Sequence, residues 1–214
     1  KASFVRGGLF GFIMGGTVKN LNIDADLYNI VYNISKFVAK SDRPRSIAIL
    51  TDAHGLFEPT LAVLEDARKR GITEIYSLGD NIGTGPNPSE VMDLLDDYGV
   101  ISILGNHELY VSLGVDAFKD HLDNAGAHAY GEALRNSTWT ASQLREDQKK
   151  RLRVCDKMIE LTLGGKKVLL CHDVKDFNTG EVVVDSSVYD EVFRGHIHFD
   201  RSEGNITTIP GVGI

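Results

Sequence analysis

Cysteine is scarce in this chain of 214 residues, which has only Cys155 and Cys171. Two cysteines do not amount to a disulfide framework in a domain of this size. We therefore expect a reducing compartment, the cytoplasm. Cys171 fits a small buried side chain better than a metal ligand.

Positively charged residues are also few. The chain has 23 Lys and Arg residues and 30 Asp and Glu residues, which gives a net charge of −7. This balance opposes loose electrostatic binding to nucleic acid or to anionic lipid surfaces. Hydrophobic residues at 42% and charged residues at 25% are ordinary values for a globular protein. We expect a domain with a substantial core and no stable nucleic-acid binding.

A long uninterrupted hydrophobic run is missing as well. Residues 1–18, KASFVRGGLFGFIMGGTV, are apolar but broken by glycines, and they fall short of the roughly 20 apolar residues that a membrane span needs. We expect irregular or docked structure there, with a clipped targeting segment as the alternative, and no membrane association. The chain begins with Lys1 rather than Met, which fits a fragment or a processed form.

The domain prediction divides the chain after residue 45. Residues 1–45 form an N-terminal extension with one predicted helix over 25–39, where apolar residues repeat at helical spacing. This helix either packs on the sheet or covers a contact in a homo-oligomer. Residues 46–214 form the main domain.

Short apolar runs alternate with helical patterns in the first half of the main domain. Strands are predicted over 46–50, 74–78 and 100–104, and the helices between them open at Pro59 and Pro88. This alternation predicts a parallel sheet in an α/β fold. Further on, the sequence predicts one helix and then a hairpin that turns at two glycines. These elements cover 140–154 and 158–171, with the turn at Gly164 and Gly165.

Polar residues follow each predicted strand directly. The first strand leads into Asp52 and His54, the second into Asp80, and the third into Asn106 and His107. Because the carboxyl ends of parallel strands meet at one edge of a sheet, we expect these side chains to converge. The hairpin leads into His172, which reaches the same edge if its strand runs in the same direction.

The segment RGHIHFD places His196 and His198 two positions apart. In extended backbone such residues point to the same side, so both could reach one metal ion. A polar surface hairpin is the alternative, since two ligands do not complete a metal shell. The residues at the strand ends would supply the missing partners. Carboxylate, amide and imidazole ligands without thiolate suit manganese, iron, zinc or magnesium better than copper.

Simpler roles stay open for several of these residues. Asp52 could cap the next helix, and Asp80 with Asn81 could form an ordinary turn. His121 and His128 fall outside the pattern of strand ends, and we expect them to be surface or helix-packing residues.

Taken in order, the motifs DAH, GDNIGTGPNP, GNHE, a lone histidine after a strand, and GHIH resemble the calcineurin-like metallophosphoesterase superfamily. The chain looks most like the small bacterial and archaeal phosphodiesterase-like branch. STWTASQL, residues 137–144, is similar to a tryptophan-containing segment of those proteins. The resemblance covers roughly residues 46–210 and implies an α/β fold, a β-sandwich of mixed sheets flanked by helices.

The resemblance also implies two divalent metal ions, with manganese as the first candidate and iron, zinc, magnesium or nickel as others. One ion would be held by Asp52, His54 and His198, the other by Asn106, His172 and His196, with Asp80 bridging the two. His107 would then be the catalytic group, and Glu108 would orient its ring. A hydroxide that bridges the metals would attack a small phosphodiester or nucleotide.

Two other functions remain open under the same resemblance. One is a phosphomonoesterase, including a protein phosphatase, although GDNIGTG lacks the arginine that protein phosphatases of the superfamily usually carry after this motif. The other is a non-catalytic metal-binding scaffold of the same fold. In the enzymatic interpretation the partner is a small phosphorylated substrate, and residues 109–136 are the expected wall of its pocket.

Overall fold

The computed structural model of the chain describes residues 46–126, 128–177 and 179–213. The predicted N-terminal extension over 1–45, with its helix over 25–39, lies outside the described residues. None of the helices that the structure describes is long and apolar enough to cross a membrane.

The first sheet has three short parallel strands in the order in which they occur along the chain, as predicted. They are β1 Ala48–Leu50, β2 Ile75–Ser77 and β3 Ile101–Ser102. Leu50 pairs with Ser77, and Ser77 pairs with Ser102, so all three strands end at one edge. Two helices make the crossovers, α1 Phe57–Lys69 and α2 Pro88–Asp97.

The crossover helices pack against the sheet through their apolar faces. Leu64 of α1 and Val91 of α2 are fully buried in one cluster with Leu50 of β1. Pro88 opens α2 as predicted, because a proline at the first helical position gives up no hydrogen bond. α1 begins two residues before Pro59, at Phe57. The prediction of both helices is confirmed, and their packing fixes the strand exits that lie beside them.

The middle of the chain is helical. It contains α3 Asn106–Leu113, α4 Lys119–Ala125, α5 Ala129–Gln143 and α6 Glu146–Leu152, with a 3-10 turn at Val115–Phe118. The prediction of one helix over 140–154 is wrong, because the chain breaks between α5 and α6. Leu144 has an extended backbone with ψ of 140° and is buried in a cluster with Ile82 and Met92. Burial of this leucine outweighs the helical propensity of the segment.

The second sheet is mixed and has five strands in the order β4-β5-β6-β8-β7. Their bounds are β4 Met158–Leu163, β5 Lys166–Cys171, β6 Glu191–Arg194, β7 Arg201–Glu203 and β8 Ile206–Thr208. β4 and β5 form the predicted hairpin around Gly164 and Gly165. β5, β6 and β8 are parallel to one another. The predicted α/β class, with two sheets and helices, is confirmed.

The two sheets meet where their parallel strands end. His172, just after β5, donates a hydrogen bond from Nδ1 to the carbonyl oxygen of Leu78, just after β2, over 2.7 Å. The backbone N–H of Val212 donates to the carbonyl oxygen of Thr51, just after β1, over 3.0 Å. Polar residues that follow strands of different sheets therefore come together.

Gln148 holds the break between α5 and α6, and its side chain is fully buried. Its Oε1 accepts from the Arg145 backbone N–H at 3.0 Å and from the Ser89 hydroxyl at 2.9 Å. Its Nε2 donates to the Ser89 carbonyl oxygen at 2.9 Å and to Asp93 Oδ1 at 3.0 Å. This amide therefore joins α2 to α6 with every polar atom satisfied.

We expect Gln148→Leu to lower the free energy of unfolding by about 2 kcal/mol, because the backbone groups of Arg145 and Ser89 lose their partner in a buried place. Urea unfolding followed by circular dichroism measures this change. The matched control is Gln143→Leu on the exposed face of α5, for which we expect a change below about 0.5 kcal/mol. Equal effects of the two variants would contradict this role of Gln148.

Candidate metal centre

The structure brings all seven predicted metal ligands to the meeting point of the two sheets. Asp52 and His54 follow β1, Asp80 follows β2, and Asn106 opens α3 after β3. His172 follows β5, and His196 and His198 follow β6. The side chains that converge thus come from five strand ends in two sheets.

Asp52, His54 and His198 form one group of donor atoms. The Nε2 atoms of the two histidines lie 3.2 Å apart. Asp52 Oδ1 lies 3.0 Å from His198 Nε2 and 3.7 Å from His54 Nε2. Lone pairs of neutral imidazoles repel each other at this distance unless a proton or a cation lies between them. The donor set therefore fits a divalent ion.

A second group contains Asp80, His172 and His196, with Asn106 beside it. His172 Nε2 lies 3.2 Å from Asp80 Oδ2 and 3.2 Å from Asn106 Oδ1. Because Nδ1 of His172 donates to a backbone carbonyl, Nε2 of the neutral ring is left with its lone pair directed at two oxygen atoms. A backbone carbonyl that fixes the tautomer in this way is a common support of histidines that bind metals.

Asp80 connects the two groups. It also forms a third group with His54 and His107, so that His54 and Asp80 are each shared between groups. The donor atoms within each group lie within 4.8 Å of one another. Asp80 Oδ1 accepts the His107 backbone N–H at 2.8 Å, while its Oδ2 faces His172. The position of Asp80 suits a carboxylate that bridges two ions.

The backbone at these ligands is unusual. In the described part of the chain, every non-glycine residue with positive φ is a predicted ligand, with values between 46° and 69°. They are Asp52, His54, Asp80, His196 and His198. Residues with side chains rarely adopt this region, and each instance costs on the order of 1 kcal/mol or more. Such strain concentrates at functional sites, where the surrounding structure enforces it.

The backbone of the HIH segment overturns the expectation that both of its histidines reach one metal ion. His196 and His198 are not in extended structure, and they do not face one common point. His196 belongs to the group of Asp80 and His172, and His198 belongs to the group of Asp52 and His54. The left-handed conformation of both residues turns their rings toward different groups, so one short segment contributes to both.

The pKa values of this cluster show that its buried Asp80 carboxylate needs a positively charged neighbour. Burial lowers the pKa of His54 to about 4, so this ring is neutral at pH 7. Burial also acts to lower the pKa of His172, but the Asp80 carboxylate outweighs it and raises the value to about 9. In turn, His172 and His107 hold the pKa of Asp80 far below its usual range, against the effect of burial. The buried Asp80 carboxylate is therefore ionised and needs a cationic neighbour, either an imidazolium or a metal ion.

Glu108 has a different role from the one predicted. Among the described residues, its buried carboxylate accepts from four backbone N–H groups and from no atom of the His107 ring, so it does not orient that ring directly. The donors, at 2.8 to 3.2 Å, are those of Asp80, Asn81, Ile82 and Gly105. Burial and the nearby Asp80 carboxylate raise the pKa of Glu108. The side chain ties the exit of β2 to the exit of β3.

The sequence analysis did not identify several residues that hold Asp52 in position. The Thr51 hydroxyl donates to Asp52 Oδ2 at 2.7 Å, and the His196 backbone N–H donates to the same oxygen at 3.0 Å. These bonds leave Oδ1 of Asp52 directed at the imidazoles. A Cβ atom at Gly195 would collide with Thr51 and Asp52, so only glycine permits this approach. The glycine of GHIH was a visible signal, whereas nothing in the sequence linked Thr51 to the site.

Aromatic side chains cover part of the cluster. The Phe177 ring lies 5.5 Å from that of His172 and 5.3 Å from that of His196, between ring centroids. The Tyr110 ring lies 5.8 Å from that of His107, between centroids. Burial raises the pKa of Tyr110 to about 12, so its hydroxyl stays protonated. Neither aromatic residue stood in a motif.

The structure does not support a capping role for Asp52, and it keeps His121 and His128 apart from the donor groups. Asp52 does not cap α1, whose N-cap is Leu56 without a side-chain hydrogen bond. His121 lies on α4, His128 precedes α5, and neither belongs to a donor group in the described ranges. Cys171 is buried, as predicted. The metal-binding role of the seven ligands and the catalytic role of His107 stay predictions.

One family model and two relatives of known sequence are similar to this chain. The model of the calcineurin-like phosphoesterase superfamily domain matches residues 46–209. Uncharacterized protein MJ0912 of Methanocaldococcus jannaschii is 33% identical over 170 residues, which cover 75% of this chain and 66% of that protein. Serine/threonine-protein phosphatase 2 of Salmonella typhimurium is 29% identical over 137 residues, which cover 62% and 60%. The chain spans less than two thirds of the length of either relative.

A solved structure supports the fold. The hypothetical protein PH1004 from Pyrococcus horikoshii OT3 superposes with a TM-score of 0.57 at 17% sequence identity, over 78% of this chain and 77% of that one. At this identity the likeness concerns the fold alone.

We expect Glu108→Gln to lower the free energy of unfolding by about 2 kcal/mol or more, because the amide NH2 would face backbone N–H groups that now donate to an oxygen. Urea unfolding of the two proteins measures the difference. Glu90→Gln is the matched control, since Glu90 is exposed on α2 and its replacement should cost less than about 0.5 kcal/mol. A Glu108→Gln protein as stable as the control would show that the four bonds contribute little.

Proposed function

Because this chain belongs to the calcineurin-like phosphoesterase superfamily, we propose that it is a phosphoesterase with two divalent metal ions that hydrolyses a small phosphodiester or nucleotide. The observation that carries the proposal is the set of three donor groups that share His54 and Asp80. Their mixture of carboxylate, amide and imidazole donors suits manganese, iron, zinc or magnesium better than copper; our first candidate is manganese, and nickel is a further one.

In this proposal each ion has its own ligands and one shared ligand. Asp52, His54 and His198 hold the first ion, and Asn106, His172 and His196 hold the second, with Asp80 between them. When bound, two such ions polarise the phosphoryl oxygens and lower the pKa of a water molecule toward neutrality. They also reverse the local sign of charge, so that a chain with a net charge of −7 can hold a phosphate group.

His107 is the residue that we propose to act on the leaving oxygen. Its ring lies 4.8 Å from that of His54, between centroids, and its backbone N–H is fixed on Asp80 Oδ1. An imidazole placed there can donate a proton to the oxygen that leaves the phosphorus atom. Glu108 supports this arrangement indirectly, since it holds the strand exits that carry Asp80 and His107.

A second candidate function is the hydrolysis of phosphomonoesters, including phosphorylated protein. The relative that favours it is Serine/threonine-protein phosphatase 2 of Salmonella typhimurium, at 29% identity. The absence of an arginine from GDNIGTG favours hydrolysis of a phosphodiester instead. In both cases we propose a small phosphorylated group as the substrate and no stable binding to nucleic acid.

We expect protein stripped with EDTA and reloaded with manganese to retain about two ions per chain, as a two-metal site requires. Asp80→Asn should retain at most about one, because the shared ligand loses its charge. Inductively coupled plasma mass spectrometry after gel filtration gives the ratio. Asp97→Asn, an exposed carboxylate on α2, is the matched control and should behave like the unchanged protein. Equal retention by both variants would contradict the bridging role.

We expect manganese-dependent hydrolysis of bis-p-nitrophenyl phosphate to exceed that of p-nitrophenyl phosphate. His107→Ala should lower kcat by about 100-fold or more, the usual contribution of a general acid, while manganese retention stays unchanged. His128→Ala, an exposed histidine outside the donor groups, should keep full activity. A preference for the monoester would favour the second candidate function. Protein that binds manganese but hydrolyses neither ester would overturn the enzymatic proposal in favour of a scaffold.

A further inference from the structure

An open groove of about 520 Å3 runs between α5 and the loop that follows β2. Its lining residues are Thr84, Pro86, Glu132, Arg135, Asn136 and Trp139. The four residues from α5 recur at helical spacing and therefore form one face of this helix. The groove was not anticipated as a site, although it includes part of the expected pocket wall over 109–136.

The groove offers polar groups without partners. Within the described ranges, no hydrogen bond or ion pair engages the Arg135 guanidinium. The side-chain oxygen of Asn136 is buried and has no hydrogen-bond partner among the described residues. Because this oxygen has no surface open to solvent, a ligand in the groove meets the exposed Arg135 guanidinium and not the Asn136 oxygen.

The groove also offers an aromatic surface. Trp139 is 41% exposed, which is unusual for so large an apolar side chain. Glu132 also lines the groove, and among the described residues its carboxylate forms no ion pair with Arg135. A ligand that suits this surface brings a flat ring for the indole and one anionic group for Arg135.

The groove begins beside the candidate metal centre. Thr84, one of its lining residues, directly follows Gly83. A Cβ atom on Gly83 would lie 2.7 Å from His107 Nδ1 and 3.0 Å from His54 Nδ1. The Thr140 hydroxyl of α5 donates to the Gly83 carbonyl oxygen at 3.1 Å. This bond fixes α5 on the loop and so fixes the groove relative to His107.

We propose that this groove binds the nucleoside part of a nucleotide substrate, with the base stacked on Trp139 and Arg135 paired with a second phosphate. The inference rests on the proposed function, since it places the groove next to the phosphate under attack. It deepens that function by assigning the substrate class, a nucleotide with at least two phosphates. Stacking of a base on an aromatic side chain and a charged hydrogen bond each contribute about tenfold in affinity.

Trp139 is the only tryptophan of the chain, so its fluorescence reports on the groove directly. We expect α,β-methylene-ADP, added to the manganese-loaded protein, to quench this fluorescence with a saturating curve. Ribose 5-phosphate, which has no ring to stack, should not quench it. Arg135→Ala should raise the Kd about tenfold, and Arg135→Lys should recover part of the loss. Leu134→Ala, which changes an exposed residue of α5 outside the groove, is the matched control and should leave the Kd unchanged.

Variants that lack Trp139 have no tryptophan fluorescence, so calorimetry measures their binding and tests the stacking itself. Trp139→Ala should weaken the binding of α,β-methylene-ADP about tenfold, and Trp139→Phe should stay within about threefold because a ring remains. Quenching without hydrolysis of any ester would overturn the proposed function and support the groove as a nucleotide site. Hydrolysis of phosphodiesters without quenching, or an unchanged Kd in Arg135→Ala, would overturn the inference about the groove and leave the proposed function standing.

Discussion

The carboxylate of Glu108 is the interaction on which the site depends. It accepts four backbone hydrogen bonds and thereby joins the turn after β2 to the turn before α3. Asp80 sits in the first of these turns, and Asn106 and His107 follow the second. A single buried side chain thus sets the distance between residues that are far apart in the sequence. Without it, the backbone N–H groups of these turns would be buried without acceptors.

The strand exits converge closely because small residues and strained backbones allow it. The five left-handed residues turn their side chains inward within a few residues of a strand. Gly105 packs against Asp80, and Gly195 packs against Asp52, so that backbone and carboxylate are in direct contact. The cost of this conformation must be offset elsewhere, by the packed sheets and, in the proposed function, by a bound cation. Such a cation also resolves the repulsion between imidazole nitrogens 3.2 Å apart.

Charge and exposure divide the site into two regions. The predicted metal ligands are mostly buried and include the ionised Asp80 carboxylate, which needs a cationic neighbour. The groove along α5 is open and combines an exposed indole with a guanidinium that has no partner among the described residues. In the proposed function, the first region binds the phosphate, and the second binds the part of the substrate that distinguishes one phosphoester from another. Thr140 connects them through its hydrogen bond to the loop that both share.

The sequence was enough to predict the three strands of the first sheet, the crossover helices, the hairpin and the identity of the residues that converge, because apolar periodicity and polar residues at strand ends are local signals. It could not determine the left-handed backbone of HIH, since that conformation is imposed by the close approach of Gly195 to Thr51 and Asp52. Nor could it separate α5 from α6, because Leu144 leaves the helix to fill a cluster built from distant residues. The role of Glu108 and the position of the groove beside His107 come from tertiary contacts alone. Both depend on contacts between segments separated by more than 20 residues, and no local pattern encodes such contacts.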